Sequence, residues 1–238
     1  MQGDINSMLL YEGKAKKVFK YTNDTVMMFF KDDATAGNRA KEAKFEGKGE
    51  LNASISAKLF ELMHEHKIPT HFIKANGTKE HECYFVDIIP LEVIVRNISA
   101  GTFCKRYGLE VGANLKTTIV EFCVKNDNLN DPPICEDAIV ALNITDTVTL
   151  SHIKLTSLKI NEILQNRFSK CGLKLVDFKL EFGLDKEGKI LLADEICPDT
   201  MRLWNSNNES FDKDLFRNDS GDLLAGYRKV EELLINTL

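Results

Sequence analysis

Three ionisable side chains occupy alternate positions of an otherwise apolar segment, residues 176–183. Asp177, Lys179 and Glu181 are separated from one another by single apolar residues. Because successive side chains of a β-strand point to opposite faces, a strand here would bring the three charged groups together on one face. The same alternation is typical of a strand with one solvent-exposed face, so the pattern alone leaves a functional face and a solvated face equally open.

A further acidic residue lies on the next predicted strand, residues 189–196. A two-residue turn at Glu187 and Gly188 would place Glu181 directly opposite Asp194. Opposed carboxylates have Cβ atoms ~5 Å apart and repel each other. A Mg²⁺ ion would remove the repulsion, since magnesium sites commonly use one or two carboxylates plus substrate phosphates. A three-residue bulged loop would instead shift the register by one, and the metal site would then need a further bulge.

A glycine and two lysines near the N-terminus could bind phosphate oxygens. Gly13, Lys14, Ala15 and Lys16 follow a short apolar stretch that we predict to be a strand. Glycine permits close approach of the backbone to a ligand. The segment is not a Walker A loop, which requires G-x-x-x-x-G-K-[ST], and by itself it fits a solvated basic strand. Combined with acidic residues that hold a metal, it predicts the two halves of a phosphoryl-transfer site.

A second anion site is predicted where a strand ends at Arg96. Ser99, Gly101 and Thr102 follow, and a short helix is predicted at residues 103–107. Backbone N–H groups at the start of a helix bind anions, and a hydroxyl and a guanidinium would complete a monophosphate site. Capping of the helix by Ser99 or Thr102 is an equally open alternative.

An aspartate and an arginine after the strand at residues 189–196 could also contact a nucleotide. Asp199 could bind ribose hydroxyls and Arg202 a phosphate. The alternative is a surface ion pair between these two residues, which would contribute only ~0–1 kcal/mol.

The elements predicted to carry these residues form two parts. Apolar patterning predicts one helix at 49–67 and strands at 9–11, 14–19, 26–30, 72–74 and 83–89. Pro90 is a plausible hinge. Beyond it we predict a strand at 92–96, a short helix at 103–107, a polar loop at 126–136, a long helix at 150–170, a hairpin at 175–196 and a helix from 222 onwards.

Composition excludes several classes of protein. The chain has 238 residues, of which 43% are apolar, and a formal net charge of -5. A mildly acidic chain argues against a nucleic-acid binder. The sequence contains no apolar run near the ~18 residues that span a bilayer, and residues 1–7 show no apolar signal-peptide core. We therefore expect a cytoplasmic protein with no membrane or nucleic-acid partner.

In combination, these motifs resemble the SAICAR synthetase family. The segments that carry the resemblance are 11–16, 90–97, 99–102, 176–183 and 194–204, in this order and spacing. The resemblance extends from Leu10 to the C-terminal helix. It implies an α+β, two-lobed SAICAR synthetase-like fold with an ATP cleft between the lobes, similar to protein kinases and ATP-grasp enzymes. Residues 1–89 would form a sheet-rich ATP-binding lobe, and residues 90–238 an α/β lobe with the nucleotide-substrate and magnesium site.

The resemblance also implies an activity. A carboxylated aminoimidazole ribonucleotide, ATP and L-aspartate would give a succinocarboxamide ribonucleotide, ADP and phosphate, as one step of purine biosynthesis. ATP and Mg²⁺ would be required, and the enzyme would be a homodimer. The alternatives are a small-molecule kinase that uses the same ATP site and a non-catalytic nucleotide-binding module.

Residue roles follow from the same resemblance. Catalysis would involve Lys179, Glu181 and Asp194, of which Glu181 and Asp194 would bind Mg²⁺. The residues that would hold ATP are Gly13, Lys14, Ala15, Lys16, Asp87, Ile88 and Lys125, with the backbone of Asp87 and Ile88 at the adenine. The residues that would meet the nucleotide substrate are Arg96, Ser99, Gly101, Thr102, Asp177, Lys179, Asp199, Arg202 and Arg217.

The chain departs from the family pattern at two positions. Asn38 stands where some members carry aspartate, and Tyr84 stands where some carry lysine near the adenine. The pocket for the aspartate substrate is the least determined, with Arg39 and Lys41 as candidates.

Overall fold

The computed structural model describes residues 8–37 and 40–237. The predicted contacts of Asn38 and Arg39, and the N-terminal stretch 1–7, lie outside the described residues. The first part of the chain contains β1 (Leu9–Glu12), β2 (Lys16–Lys20), β3 (Thr25–Phe30), β4 (Asp33–Ala36), β5 (Lys41–Lys44), α1 (Lys48–Glu65), β6 (Phe72–Ala75) and β7 (Glu80–Tyr84). Five of these strands form an antiparallel sheet in the order β1-β2-β3-β7-β6, and β4 and β5 form a separate hairpin.

The second part of the chain builds a seven-stranded sheet with helices. Its elements are β8 (Asp87–Ile88), β9 (Leu91–Ile98), α2 (Gly101–Tyr107), β10 (Asn114–Val124), β11 (Pro133–Ile134), α3 (Glu136–Ala141), α4 (Thr147–Lys170), β12 (Lys174–Leu184), β13 (Ile190–Ala193), β14 (Met201–Trp204), α5 (Asp214–Arg217) and α6 (Leu223–Asn236). The main order is β11-β10-β9-β12-β13, and β8 and β14 also pair with β12.

Strand β12 is the centre of this sheet because it pairs with four strands. Asp177 pairs with β9 on one edge and with β14 on the other. Farther along, Gly183 pairs with β8 on the first edge and with β13 on the second. The chain between β13 and β14, residues 194–200, therefore passes the middle of β12, and the amide of Lys179 donates to the carbonyl of Thr200. This arrangement brings Glu181 of β12 close to Asp194, the acidic residue that follows β13.

One hydrophobic core extends through both parts of the chain. Helix α1 contributes Ile55 and Leu59, and β9 and β12 contribute Val93 and Phe178, all at most 1% exposed. The apolar positions of α4 at Ile153, Ile160, Ile163, Leu164 and Phe168 are buried on the same core, as their spacing predicts.

Two sequence predictions about elements are wrong. The predicted strand at residues 83–89 is two strands, because the chain leaves the smaller sheet after Tyr84 and joins the larger one at Asp87. The polar loop at 126–136 is interrupted by a 3-10 turn at Asp127–Leu129 and by β11. The division of function at residue 89 stays a prediction. In the described part of the chain, no helix is long and apolar enough to cross a membrane.

Candidate functional site

A cleft of about 610 Å³ lies between the two sheets. Its walls come from β1, β2 and β4 on one side and from β9, β12, β14 and α5 on the other. The basic residues that line it are Lys14, Lys16, Arg96, Lys125, Lys179, Arg202, Lys213 and Arg217. The acidic residues that line it are Glu92, Asp127, Asp131, Asp177, Glu181, Asp194, Glu195 and Asp199. The two signs of charge are thus equal in number, so placement rather than net charge decides what the cleft binds.

The ionisable face of β12 is buried in this cleft. Asp177 is 3% exposed and Glu181 is 1% exposed, while Lys179 is partly buried between them. The opposite, apolar face of the strand is buried as well. The interpretation of this segment as a strand with a solvated face is therefore wrong.

The register of the β12–β13 hairpin differs from the two-residue-turn prediction. Glu181 pairs with Ala193, because a three-residue loop with Gly188 at φ 78° connects the strands. Asp194 follows the end of β13 with φ 64°, a left-handed conformation that is uncommon outside glycine. This left-handed turn brings the Asp194 carboxylate to face Glu181, which the strand register alone would not do. Lys179 Nζ lies 2.6 Å from Glu181 Oε1 and 3.3 Å from Asp194 Oδ2.

Basic residues neutralise the two carboxylates. Lys125 pairs with Glu181, and Lys16 contacts both Asp194 and Glu195. Burial opposes ionisation of Glu181, but the charge of Lys179, followed by Lys125, outweighs it and lowers the pKa of Glu181 to about 2. Burial raises the pKa of Asp194 to about 7. Burial also lowers the pKa of Lys16 well below its ordinary value.

The donor set fits a magnesium ion that also binds phosphate. In the described residues, no cluster of three or more acidic, histidine or cysteine side chains could hold a metal by itself. Glu181 and Asp194 nevertheless converge on one ammonium group, so their oxygens face a common point. Two carboxylates completed by phosphate oxygens and water are a usual magnesium environment.

A chain of alternating charges runs across the sheet from Arg96. Asp177 accepts from Arg96 Nη1 at 2.8 Å and from Arg202 Nη1 at 2.9 Å. Arg202 Nε also donates to Asp214 at 2.7 Å. The predicted alternative of an Asp199–Arg202 ion pair is wrong, because Arg202 is held by these other acids. These ion pairs hold both guanidinium groups, and both arginines line the cleft.

The start of α2 allows the side chain of Arg202 to come close to the backbone. Gly101 has φ 58°, and a Cβ atom there would lie 2.6 Å from Arg202 Nη2, so glycine is required for conformation and for space. Thr102 lines the cleft, and Ala100 is the N-cap. Ser99 is buried, and its hydroxyl donates to the backbone carbonyl of Glu110 and accepts from the amide of Ala113. Side-chain capping of α2 is therefore absent among these residues, and the geometry does not support a substrate contact of the Ser99 hydroxyl.

The segment predicted to meet adenine borders β12. Asp87 and Ile88 are exposed and pair with Leu184 and Gly183. A Cβ atom at Gly183 would lie 2.7 Å from Val86 Cγ2, so the glycine permits this close crossing. Neither Asp87 nor Ile88 lines the described cleft, and their contact with adenine stays a prediction.

Three residues that contribute to the site, Lys48, Tyr227 and Lys213, gave no recognisable signal in the sequence. Asp199 is held by Lys48 Nζ at 2.5 Å and by the hydroxyl of Tyr227 at 2.5 Å. Lys48 begins α1 and Tyr227 lies in α6, so they are distant in the sequence and match no local pattern. Lys213 also lines the cleft. Lys41, a predicted aspartate contact, instead donates to the carbonyl of Phe216 at 2.5 Å.

The fold and the cleft together define an enzyme-like site for anionic substrates, with acids and lysines arranged as in phosphoryl transfer. The SAICAR synthetase family model matches residues 9–234, and the chain belongs to the SAICAR synthetase family. The predicted α+β fold class and family are therefore confirmed.

Known proteins resemble the chain over almost its whole length. The phosphoribosylaminoimidazole-succinocarboxamide synthase of Methanocaldococcus jannaschii is 50% identical over 226 residues, covering 94% of this chain and 93% of that protein. The enzyme of the same name from Finegoldia magna is 49% identical, covering 93% of this chain and 96% of that protein. A solved structure of SAICAR synthetase in complex with ADP has a TM-score of 0.92 and 48% identity, covering 94% of this chain and 96% of that one.

Proposed function

We propose that this chain is an ADP-forming ligase of purine biosynthesis that joins L-aspartate to a carboxylated aminoimidazole ribonucleotide. The observation that carries the proposal is the convergence of Glu181 and Asp194 on Lys179, next to Lys16 and beside the Arg96–Asp177–Arg202 chain. Such a cleft can hold a triphosphate at one end and a monophosphate at the other. Membership of the SAICAR synthetase family supports the same assignment.

The ATP end would be formed by the lysines. Lys14 and Lys16 would hold phosphate oxygens, with Lys125 nearby and the backbone of Gly13 and Ala15 beside them, all of which line the cleft. The relative solved with ADP supports nucleotide binding here. When bound by Glu181 and Asp194, Mg²⁺ would neutralise charge on the phosphates. Its binding would free the lysines that now pair with these acids.

The nucleotide substrate would lie against the second sheet. Arg96, Thr102 and Arg202 would bind its phosphate, and Asp177 and Asp199 its ribose. Arg217, at the end of α5, lines the same cleft but is already paired with Asp214 at 2.6 Å. Charge-assisted hydrogen bonds of this type are strong and directional, so they would fix the substrate relative to ATP.

The reaction then has two balanced steps. A carboxylate oxygen of the ribonucleotide attacks the γ-phosphorus of ATP, the bond to the bridging oxygen breaks, and ADP leaves. The free amine of aspartate next attacks the acyl carbon, the carbon–oxygen bond to phosphate breaks, and inorganic phosphate leaves with the proton that the nitrogen loses. Lys179 would neutralise charge that develops at the transferred group, because its buried position beside two acids holds its pKa above the ordinary value against the effect of burial.

The test is the product. Purified protein with ATP, Mg²⁺, L-aspartate and the ribonucleotide should form a new amide, detected by mass spectrometry, with ADP released in equal amount. ADP release that needs the ribonucleotide but not aspartate would identify a small-molecule kinase instead. Nucleotide binding without turnover would identify a non-catalytic module. A homodimer in the cytoplasm is part of the proposal, and light scattering of the purified protein tests the dimer.

A further inference from the structure

Lys213 differs from the other basic residues of the cleft. Within residues 8–37 and 40–237, each of the other seven donates a hydrogen bond to an acidic side chain, whereas Lys213 donates none. Its side chain is 11% exposed, and the nearest carboxylate oxygen, Asp199 Oδ2, is 3.8 Å from Nζ. That distance is too long for a hydrogen bond. Lys213 lines the cleft and its ammonium group has no hydrogen-bond acceptor among the described residues, so the cleft offers it to an anionic ligand.

Asp199 is already engaged by other groups. Its Oδ2 accepts from Lys48, which is fully buried, and its Oδ1 accepts from Tyr227. These contacts hold the carboxylate in place, 3.8 Å from Lys213. Burial lowers the pKa of Lys213, and the charge of Asp199 only partly offsets this effect. A bound anion would oppose this lowering of the pKa.

Lys213 is set apart from the lysines proposed to hold ATP. It immediately precedes α5, on the side of the cleft that carries Arg96 and Arg202, whereas Lys14 and Lys16 lie around β2 on the other side. Among the described residues, β4 and the residue after it contribute the small residues Thr35, Ala36 and Gly37 to the cleft. Phe216 of α5 packs with Ala34 of β4, so the two walls are held together.

The geometry points to an assignment: we propose that Lys213 binds a carboxylate of the amino-acid co-substrate and so selects an acidic amine. This inference rests on the proposed ligase function. A single ammonium group suits a monoanionic carboxylate, whereas phosphoryl groups are better held by several donors, such as those around Arg96 and Lys16. The side chains that β4 contributes to the cleft, Thr35 and Ala36, are small.

The test compares Lys213→Met, which removes the charge but keeps most of the stem, with Lys213→Arg and with Lys229→Met on exposed α6. We expect Lys213→Met to raise the KM for aspartate roughly 10- to 100-fold, the range for a lost hydrogen bond to a charged group. The KM values for ATP and for the ribonucleotide should change little. Lys213→Arg should recover part of the loss, and Lys229→Met should behave as the wild type.

A neutral nucleophile gives a second measurement. Hydroxylamine can intercept an acyl phosphate to give a hydroxamate and carries no carboxylate. Lys213→Met should therefore form hydroxamate at the wild-type rate. A rise in the KM for the ribonucleotide, or equal loss of both products, would place Lys213 at another substrate and overturn the assignment. An unchanged KM for aspartate would also overturn it.

The wild-type protein provides a test that needs no variant. Reductive methylation of Lys213, followed by peptide mass spectrometry, should slow when aspartate is added together with ATP and the ribonucleotide. Absence of protection by aspartate would contradict the proposal. If wild-type protein forms no amide from aspartate, the ligase function itself fails. Normal wild-type turnover without an effect at Lys213 would overturn this inference alone.

Discussion

Asp194 combines an uncommon backbone conformation with a central chemical position. Its φ of 64° turns the carboxylate toward Lys179 and Lys16, and its carbonyl oxygen is 3.0 Å from Nε2 of His71. A neutral imidazole that donates to this carbonyl stabilises the turn, and burial lowers the pKa of His71 to about 3. The side chain of Asp194 is therefore oriented before any ligand arrives.

We predict that Asp194→Asn abolishes most turnover while the fold persists. Asparagine also tolerates the left-handed conformation, so shape is kept while a charged ligand is lost. The measurements are turnover across a Mg²⁺ titration and thermal melting with and without Mg²⁺. The variant should lose the stabilisation that Mg²⁺ and ADP together give the wild type. Wild-type turnover with wild-type dependence on Mg²⁺ would contradict the metal assignment, and Asp185→Asn in the exposed hairpin loop is the matched control.

For individual residues, the sequence predicted which residue types form the site better than it predicted which way their side chains point. The alternation of Asp177, Lys179 and Glu181 was sufficient to predict one charged face. It could not reveal that the face is buried, because burial depends on residues distant in the sequence. The facing of Glu181 and Asp194 depends on a backbone angle at residue 194, and no pattern of residue types specifies it.

Strand β7 carries a buried histidine that links the smaller sheet to α1. Nε2 of His81 is 2.9 Å from the carbonyl oxygen of Ala53, and the ring packs edge-on against Phe30 and Phe72. Nδ1 has no partner among the described residues. A proton on Nδ1 would thus be buried without an acceptor, and burial lowers the pKa of His81 from 6.5 to about 4.

We therefore predict that stability falls as the pH decreases from about 6.5 to about 4. In this window the unfolded histidine binds a proton and the folded one does not, so acid favours the unfolded state. A shift of this size corresponds to about 3 kcal/mol. Urea unfolding at a series of pH values measures the slope, and His81→Asn should make it shallower, while His71, whose pKa burial lowers to about 3, keeps part of it. His152→Asn, on the exposed side of α4, should leave the slope unchanged; an unchanged slope in His81→Asn would contradict the prediction.

Elements with a clear period were predictable, and crossings between sheets were not. The spacing of apolar residues predicts α1 and α4 to within three residues at their ends. The apolar stretch at 83–89 reads as one strand, yet it passes from one sheet to the other at Phe85 and Val86. The local pattern of apolar residues predicts which residues form a strand, but not which strand they pair with.

At the scale of the whole molecule, the parts of the chain before and after the predicted boundary at residue 89 are joined by hydrogen bonds and by packing. The carbonyl of Pro69 accepts from the amide of Leu192, and the amide of His71 donates to the carbonyl of Leu192. Helix α1 also packs against α6. The walls of the cleft are thus joined by backbone hydrogen bonds and by a continuous core.

This continuity predicts a single cooperative unfolding transition. Two parts of a chain fold independently only if each has its own hydrophobic core, and here one core extends through both. Calorimetry should give one peak, with the same midpoint by circular dichroism and by Trp204 fluorescence. A fragment of residues 1–89 should fail to fold, because the core that buries Ile55 and Leu59 is completed by residues of β9, α4 and β12. Two resolved transitions, or a folded fragment, would contradict the prediction.

The conformation of Asp194 has a consequence for protein engineering. A left-handed residue with a Cβ atom costs roughly 1–2 kcal/mol relative to one without, and a buried carboxylate adds a desolvation penalty. Glycine at position 194 would remove both costs together with the proposed metal ligand, while Lys16 would keep Glu195 and Lys179 would keep Glu181 as acidic partners. A library ranked by thermal tolerance alone would therefore enrich inactive sequences at this position. Directed evolution of this chain toward heat resistance should hold residue 194 constant and search elsewhere.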